Sequence, residues 1–162
     1  MVVVVGNPQA GSRTRTAAEA VATLVADGAA TETIDLADHG PDLLGWGSPV
    51  VAELKATVLG ASMLVVASPT YKAAYTGLLK LFLDQFDHGS LGGVPTVAVM
   101  TGGSPHHSLA VTVHLTPVLV EIGASLPAAG LYVSGADIDD PGASIERWAE
   151  QAEAPLRRAL AV

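Results

Sequence analysis

Apolar residues fall along this chain in short runs separated by polar turns that contain Gly and Pro, and the runs change period as they go. Val2 to Val5 is a β-branched run closed by Gly6, which predicts a strand because Cβ branching suits a pleated backbone. The loop Asn7 to Gly11 leads through Ser12 into the Ala-rich stretch Thr16 to Ala26, a helix by composition and period. Thr31 to Leu36 alternates as a second strand, and Ala37 to Pro49, rich in Gly and Pro, is expected to be a long loop. Ser48-Pro49 predicts a helix that continues to about Leu59, since Ser can cap free amides and Pro suits the first turn. Met63 to Ala67 is wholly apolar, as in a strand covered on both faces. From Ser68 to Lys72 the chain is expected to turn into a helix reaching about Phe86, with Leu78, Leu79, Leu81, Phe82 and Phe86 on one wide apolar side. Val94 to Met100 predicts a fourth strand and Thr101 to Ser104 a second glycine loop. His106 to Ile122 then reads as a helix ended by Gly123, Gly130 to Val133 as a fifth strand, and Ser144 to Leu160 as a last amphipathic helix.

Strand and helix alternate throughout, and apolar strands joined by helical crossovers imply a parallel sheet with helices on both faces. The expected fold class is α/β, a flavodoxin-like three-layer sandwich with a five-stranded parallel sheet in the order 2-1-3-4-5. Residues 1–162 are expected to form one domain. In that order the chain reverses direction across the sheet between strands one and three, and ligands sit over the carboxyl ends there. The loops after strands one, three and four are therefore expected to converge on one site.

Composition narrows the function. Of the 162 residues 49% are apolar and 15% charged, enough for a substantial core. Eight Lys and Arg against sixteen Asp and Glu give a net charge of −8, which opposes binding to nucleic acid or to an anionic membrane. No apolar stretch approaches the roughly 18 residues of a membrane helix, and Met1 runs straight into Val2 without a basic region, so neither a membrane span nor a signal peptide is expected. The absence of Cys removes disulfides and thiolate chemistry and suits a cytoplasmic protein.

The loops carry the candidate chemistry. Gly6 to Thr14 offers backbone amides, the Ser12 and Thr14 hydroxyls and the cation Arg13 at a helix N-terminus, with Arg15, another of the chain's few cations, just beyond it. That is a cradle for an anion, although it matches neither the G-x-G-x-x-G nor the G-K-[ST] fingerprint, and an ordinary Ser-capped helix would read the same way. Ser68 to Gly77 sets aromatic and small polar residues at the end of strand three, able to lie along a flat ring, while Tyr71 and Tyr75 could equally be packing residues. Thr101-Gly102-Gly103-Ser104 allows close backbone approach, and a larger residue at Gly102 is expected to obstruct a ring there. No metal site is expected: His106 and His107 are adjacent and diverge on a helix, and no H-E-x-x-H pair exists. Ser104 lacks the setting of a hydrolase nucleophile. His114 reads as a surface or interface residue, and His39 and His88 as solvent-facing.

Three blocks in order over residues 2 to 124 resemble the NADPH-dependent FMN reductase family. Gly6-Asn7-Pro8-Gln9-Ala10-Gly11-Ser12-Arg13-Thr14 is similar to its phosphate loop G-S-P-R-x-x-S-x-[ST]. Ser68-Pro69-Thr70-Tyr71-Lys72 through Thr76-Gly77 to Lys80 resembles [ST]-P-x-Y-x-x-x-x-[ST]-G-x-x-K. Thr101-Gly102-Gly103-Ser104, His107, Leu109-Ala110 and Leu115-x-Pro117-x-Leu119 match T-G-G-[ST]-x-x-H-x-L-A and the L-x-P-x-L helix behind it. By this resemblance Gln9, Ser12, Arg13 and Thr14 would hold the phosphate of FMN. Pro69, Thr70, Tyr71 and Lys72 would border its ring, and Thr101, Gly102, Gly103, Ser104 and His107 would close the other edge. The implied reaction is hydride transfer from NADPH or NADH to FMN, which needs no acid or base side chain. Gln9 stands where the family usually has Arg, so one positive charge near a 2′-phosphate is missing. The resemblance further implies a homodimer or homotetramer, with the Lys80 and His114 helices as faces, and a flavin-dependent monooxygenase as a partner for reduced flavin. The alternatives are an enzyme that keeps FMN and reduces a quinone, azo dye or metal oxyanion, or a flavodoxin-like electron carrier.

Overall fold

Val2–Val5 (β1), Glu32–Asp35 (β2), Leu64–Pro69 (β3), Thr96–Gly102 (β4) and Leu131–Ser134 (β5) form one parallel sheet in the order β2-β1-β3-β4-β5. It is seen in a computed structural model that describes residues 1–26, 28–29 and 31–161. The order is the flavodoxin-like one. Period-two alternation sorts each strand's side chains between two cores. Val2, Val4, Leu64, Val66, Ala98 and Met100 face one side. There they meet Pro49–Leu59 (α2), Gly77–Leu83 (α3) and the stretch ending in Thr116–Glu121 (α4). Val3, Val5, Val65, Ala67, Val97 and Val99 face the other, against Arg13–Ala26 (α1) and Gly142–Leu160 (α5). Because helices cover both faces, β1 is apolar at every position and β3 and β4 are apolar through their middles, with Ser68, Thr96 and Thr101 toward their ends. Among the described residues no helix is long and apolar enough to cross a membrane.

Several local expectations are corrected. The segment expected to be a loop over residues 37–49 contains a 3₁₀ helix, Leu36–Leu44, capped by the Asp35 side chain and anchored by buried Leu36 and Leu43. His39, expected to face solvent, is half-buried within it. The third helix starts at Gly77 and not near Lys72, because the Thr76 hydroxyl accepts the Leu79 N–H at 3.1 Å while Tyr71 and Ala74 close a tight turn ahead of it. It ends at Leu83, and tighter i→i−3 bonds carry the chain on to Phe86. Leu81 lies on its outer side, and Leu83 is buried instead.

The single helix expected over residues 106–122 is three pieces: a turn at Pro105–His107, a wide π turn at Val111–Leu115, and α4. Pro117 has no N–H to return to the preceding turn, and Thr116 Oγ1 bonds the Val111 carbonyl at 3.0 Å, beside the Thr116 N–H that reaches the same oxygen across the wide turn. Gly123, with φ +95°, does end it. The change that matters for the site is at the far end of the sheet. β3 and β4 run further than expected, pairing Ser68 with Met100 and Pro69 with Thr101, so residues read as loop are strand residues held by the ladder.

The first turn sits on this frame through a close approach at Gly6. A Cβ built there would stand 2.4 Å from the Leu79 Cβ and 3.2 Å from its Cα, and a helix backbone cannot yield as a flexible side-chain tip can. Gly6→Ala should therefore destabilise the fold by about 1–3 kcal/mol through overpacking, read as a lowered urea midpoint with an unchanged slope.

Candidate functional site

The chain leaves β1 through a loop that organises itself. The Asn7 carboxamide accepts the Gln9 N–H at 2.9 Å, an Asx turn, and donates to Thr14 Oγ1 at 3.1 Å. Gly11 takes a left-handed conformation (φ +62°) and donates its N–H to Asp35 Oδ2 at 3.1 Å. Ser12 then accepts the Arg15 N–H at 3.3 Å and starts α1. The N–H groups of Arg13 and Thr14 precede any carbonyl they could reach inside the helix, so they emerge from its positive end.

The second turn leaves β3. Thr70 donates its N–H to the Thr101 carbonyl at 2.7 Å, which continues the β3–β4 ladder past Pro69. Its hydroxyl is buried and has no hydrogen-bond partner among the described residues. Tyr71 and Ala74 exchange backbone bonds of 2.9 and 3.2 Å around Lys72 (φ +52°) and Ala73 (φ +65°). Two successive non-glycine residues with positive φ make a hairpin turn under strain. The Ser68 hydroxyl accepts the Thr76 N–H at 3.0 Å, and Thr76 donates its own hydroxyl to the Gly6 carbonyl, tying the second turn to the first.

The third turn leaves β4. Tyr132, on β5, donates its hydroxyl to the Ser104 carbonyl at 3.2 Å. A Cβ on Gly102 would stand 2.0 Å from that hydroxyl and 3.4 Å from Thr70 Oγ1. A larger residue at Gly102 would therefore also press on the Tyr132 hydroxyl beneath the turn. Thr14 Oγ1 and Thr101 Oγ1 lie 2.8 Å apart, both side chains buried, and join the first turn to the third.

The three turns enclose a cleft of about 190 Å³ at the carboxyl edge of the sheet. Gln9, Ser12, Arg13, Thr14, Pro69, Thr70, Tyr71, Thr101, Gly102 and Gly103 line it, together with Asn7 and Ile138, which the sequence reading missed. Asn7 was legible as an Asx-turn residue, whereas nothing local marked Ile138. Lys72, Ser104 and His107 stand outside the lining: Lys72 at the exposed turn tip, Ser104 half-buried over Tyr132, and His107 exposed. Tyr75 is half-buried against the core. A roomier groove of about 280 Å³ between the C-terminal ends of α1 and α5 is lined mainly by Leu and Ala side chains and brings no cluster of polar donors together.

The two cations of the first turn are both committed to carboxylates. Arg13 bridges to Asp139 at 2.9 Å on the surface, where such pairs are weak. Arg15, expected to serve an anion, turns away from the cleft to Glu19 at 2.9 Å and Asp35 at 3.7 Å. The hydrogen bond and charge of Glu19, with a smaller contribution from Asp35, raise the Arg15 guanidinium above its ordinary pKa against partial desolvation, so it stays a cation.

The chain is similar to proteins named as flavin reductases. Residues 1–138 match the family described as NADPH-dependent FMN reductase. The chain is 46% identical over 74 residues to the NADH-dependent FMN reductase SfnF of Pseudomonas putida, a match covering 46% of this chain and 40% of that protein. It is 36% identical over 93 residues to the FMN reductase (NADPH) of Escherichia coli K12, covering 57% and 49%. The matches thus span about half or less of the length of these relatives. The solved apo structure of the NADH:FMN oxidoreductase EMOB superposes with a TM-score of 0.82 at 29% identity, covering 98% of this chain and 87% of that one.

The strained turn at the cleft's edge has a measurable consequence. Replacing Lys72-Ala73 by Asn-Gly, the pair that adopts positive φ most readily, should stabilise the protein by about 1–2 kcal/mol, seen as a higher urea midpoint. A lowered midpoint would show that Lys72 and Ala73 are not strained.

Proposed function

We propose that this chain, which belongs to the NADPH-dependent FMN reductase family, binds FMN in the cleft at the carboxyl edge of the sheet and catalyses its reduction by NADH or NADPH. The observation that carries this reading is the convergence of three hydrogen-bonded turns around a buried, unpartnered hydroxyl on Thr70. A buried hydroxyl without a partner costs about 1–3 kcal/mol, and the polar edge of a heteroaromatic ring offers the missing group. At the other end, the Ser12 hydroxyl and the first N–H groups of α1 suit a phosphate. The donor set fits FMN at both ends.

In this reading Gln9, Ser12, Arg13 and Thr14 hold the phosphate. Thr14 acts through its backbone N–H, because its hydroxyl is already bonded to Asn7 and Thr101. Pro69, Thr70 and Tyr71 border the ring, with Lys72 above them at the turn tip. Thr101, Gly102 and Gly103 close the opposite edge, and Ser104 and His107 act from outside it. Bound flavin supplies two-electron chemistry that no side chain of this protein possesses. The protein's own part is alignment, exclusion of water and orientation of backbone dipoles toward developing negative charge. No titrating side chain is required, so the rate should follow no acid or base of the chain.

The same reading makes residues 1–162 one flavin-binding domain, working in the cytoplasm as a homodimer or homotetramer and passing reduced flavin to a flavin-dependent monooxygenase. Exposed Leu109, Val113 and Val120 on the His114 stretch support a protein–protein face there.

The deciding experiment is NADH and NADPH oxidation by purified protein with and without added FMN. A colourless protein that consumes nucleotide only when FMN is present fits a reductase of free flavin, whereas stoichiometric bound flavin fits an enzyme that retains it. If neither nucleotide bleached the flavin absorption band in stopped-flow mixing, the reductase reading would be removed. Ser12→Ala should weaken FMN by about 1–2 kcal/mol through loss of a charge-assisted bond, measured by fluorescence titration. An unchanged affinity would put the phosphate elsewhere.

A further inference from the structure

Asp35 ends β2 with its side chain only 2% exposed. A carboxylate buried beside a loop proposed to receive a phosphate is costly twice over, by desolvation and by repulsion of the incoming anion. Its contacts show what keeps it there. Oδ2 accepts the Gly11 N–H at 3.1 Å, Oδ1 accepts the Ala37 N–H at 3.4 Å, and the Arg15 guanidinium stands 3.7 Å from Oδ2. Arg15 is itself held by Glu19 at 2.9 Å, and the Thr33 hydroxyl donates to the same Glu19 oxygen at 3.0 Å. A polar chain therefore runs from β2 through the first turns of α1 back to the end of the same strand.

Gly11 needs this hold. Nothing lies within 4 Å of the position its Cβ would occupy, so no packing on that side fixes its left-handed conformation, and glycine alone is permissive. Asn7 restrains the loop at Gln9, and the bond to Asp35 restrains it at Gly11, immediately before Ser12. We infer that Asp35 is a positioning residue for the anion-binding turn: it fixes Gly11 so that Ser12 and the N–H groups behind it face the cleft. Arg15, shared with Glu19, is its countercharge, offsetting part of a charge that would otherwise repel the phosphate. This assignment rests on the reading of the cleft as an FMN site, and its test separates the two.

FMN and riboflavin differ only in the phosphate, so their relative affinity isolates the turn from the rest of the cleft. Both ligands are titrated by flavin fluorescence against the unaltered protein, Asp35→Asn, Arg15→Gln and the double variant. Asp35→Asn keeps the shape of the side chain but can no longer offer two carboxylate oxygens to Gly11 and Ala37. It should weaken FMN about tenfold while leaving riboflavin within about twofold. Arg15, whose side chain is 38% exposed, can be replaced without opening the core. Arg15→Gln should also weaken FMN selectively, and the double variant should lose less than the sum of the two, because a neutral amide no longer repels the phosphate. Equal weakening of both ligands, or no weakening, overturns the inference, as does a double variant worse than either single one by the sum of their effects. If the unaltered protein binds FMN no better than riboflavin, the phosphate reading of the cleft fails first and the role of Asp35 falls with it.

Discussion

Two threonine hydroxyls, on α1 and β4, meet at 2.8 Å beneath the carboxyl edge of the sheet, and the rest of the site is built outward from that contact. Each hydroxyl is shielded from water, so exchanging the bond for solvent is not open to it, and breaking it would leave a buried polar group unpaired. Thr14 is also bonded by Asn7, which shapes the first turn. The carbonyl of Thr101 receives Thr70 from the second turn. One pair of residues thus holds three separate chain segments to a common geometry, and Thr76, bonded to the Gly6 carbonyl, closes the remaining side.

The distribution of buried polar residues follows the same logic. Asn7, Ser12, Thr14, Asp35, Ser68, Thr76 and Thr101 all lie at or just below this edge, and among the described residues only Thr96 is a buried polar residue at the opposite end of a strand. Elsewhere the interior is aliphatic and aromatic, as close packing favours. Satisfied polar contacts are directional, which a hydrophobic core is not, and direction is what a binding edge requires. Among the described residues two buried hydroxyls lack a partner, those of Ser90 and Thr70, and Thr70 lies in the cleft itself.

In the proposed reading, electrostatics set how such an acidic chain receives an anion. With a net charge of −8 and both arginines of the first turn engaged by carboxylates, the attraction falls on backbone N–H groups and the dipole of α1. These are fixed by the fold and cost no side-chain ordering on binding. Gln9, neutral at a position where the family resemblance leads one to expect a cation, fits the same scheme.

Period and punctuation alone carried the order of elements, the parallel sheet and the meeting of three turns, because alternating burial and the right-handed crossover leave few arrangements for five apolar strands. The family motifs likewise named most residues that line the cleft. Long-range contacts decided the rest. The split of the helix after β4 depends on Pro117 and on a hydroxyl reaching Val111, and the short third helix on Thr76 being placed to cap it. The ladder between β3 and β4 extends to Pro69 and Thr101 only because the two strands are held in that register. Tyr132 beneath Gly102, Asp35 behind Gly11 and Ile138 at the cleft wall come from chain segments far from the motifs they support. A local pattern records which face of an element is apolar, but which distant atom will stand within 3 Å of a given hydroxyl is settled only when the layers pack.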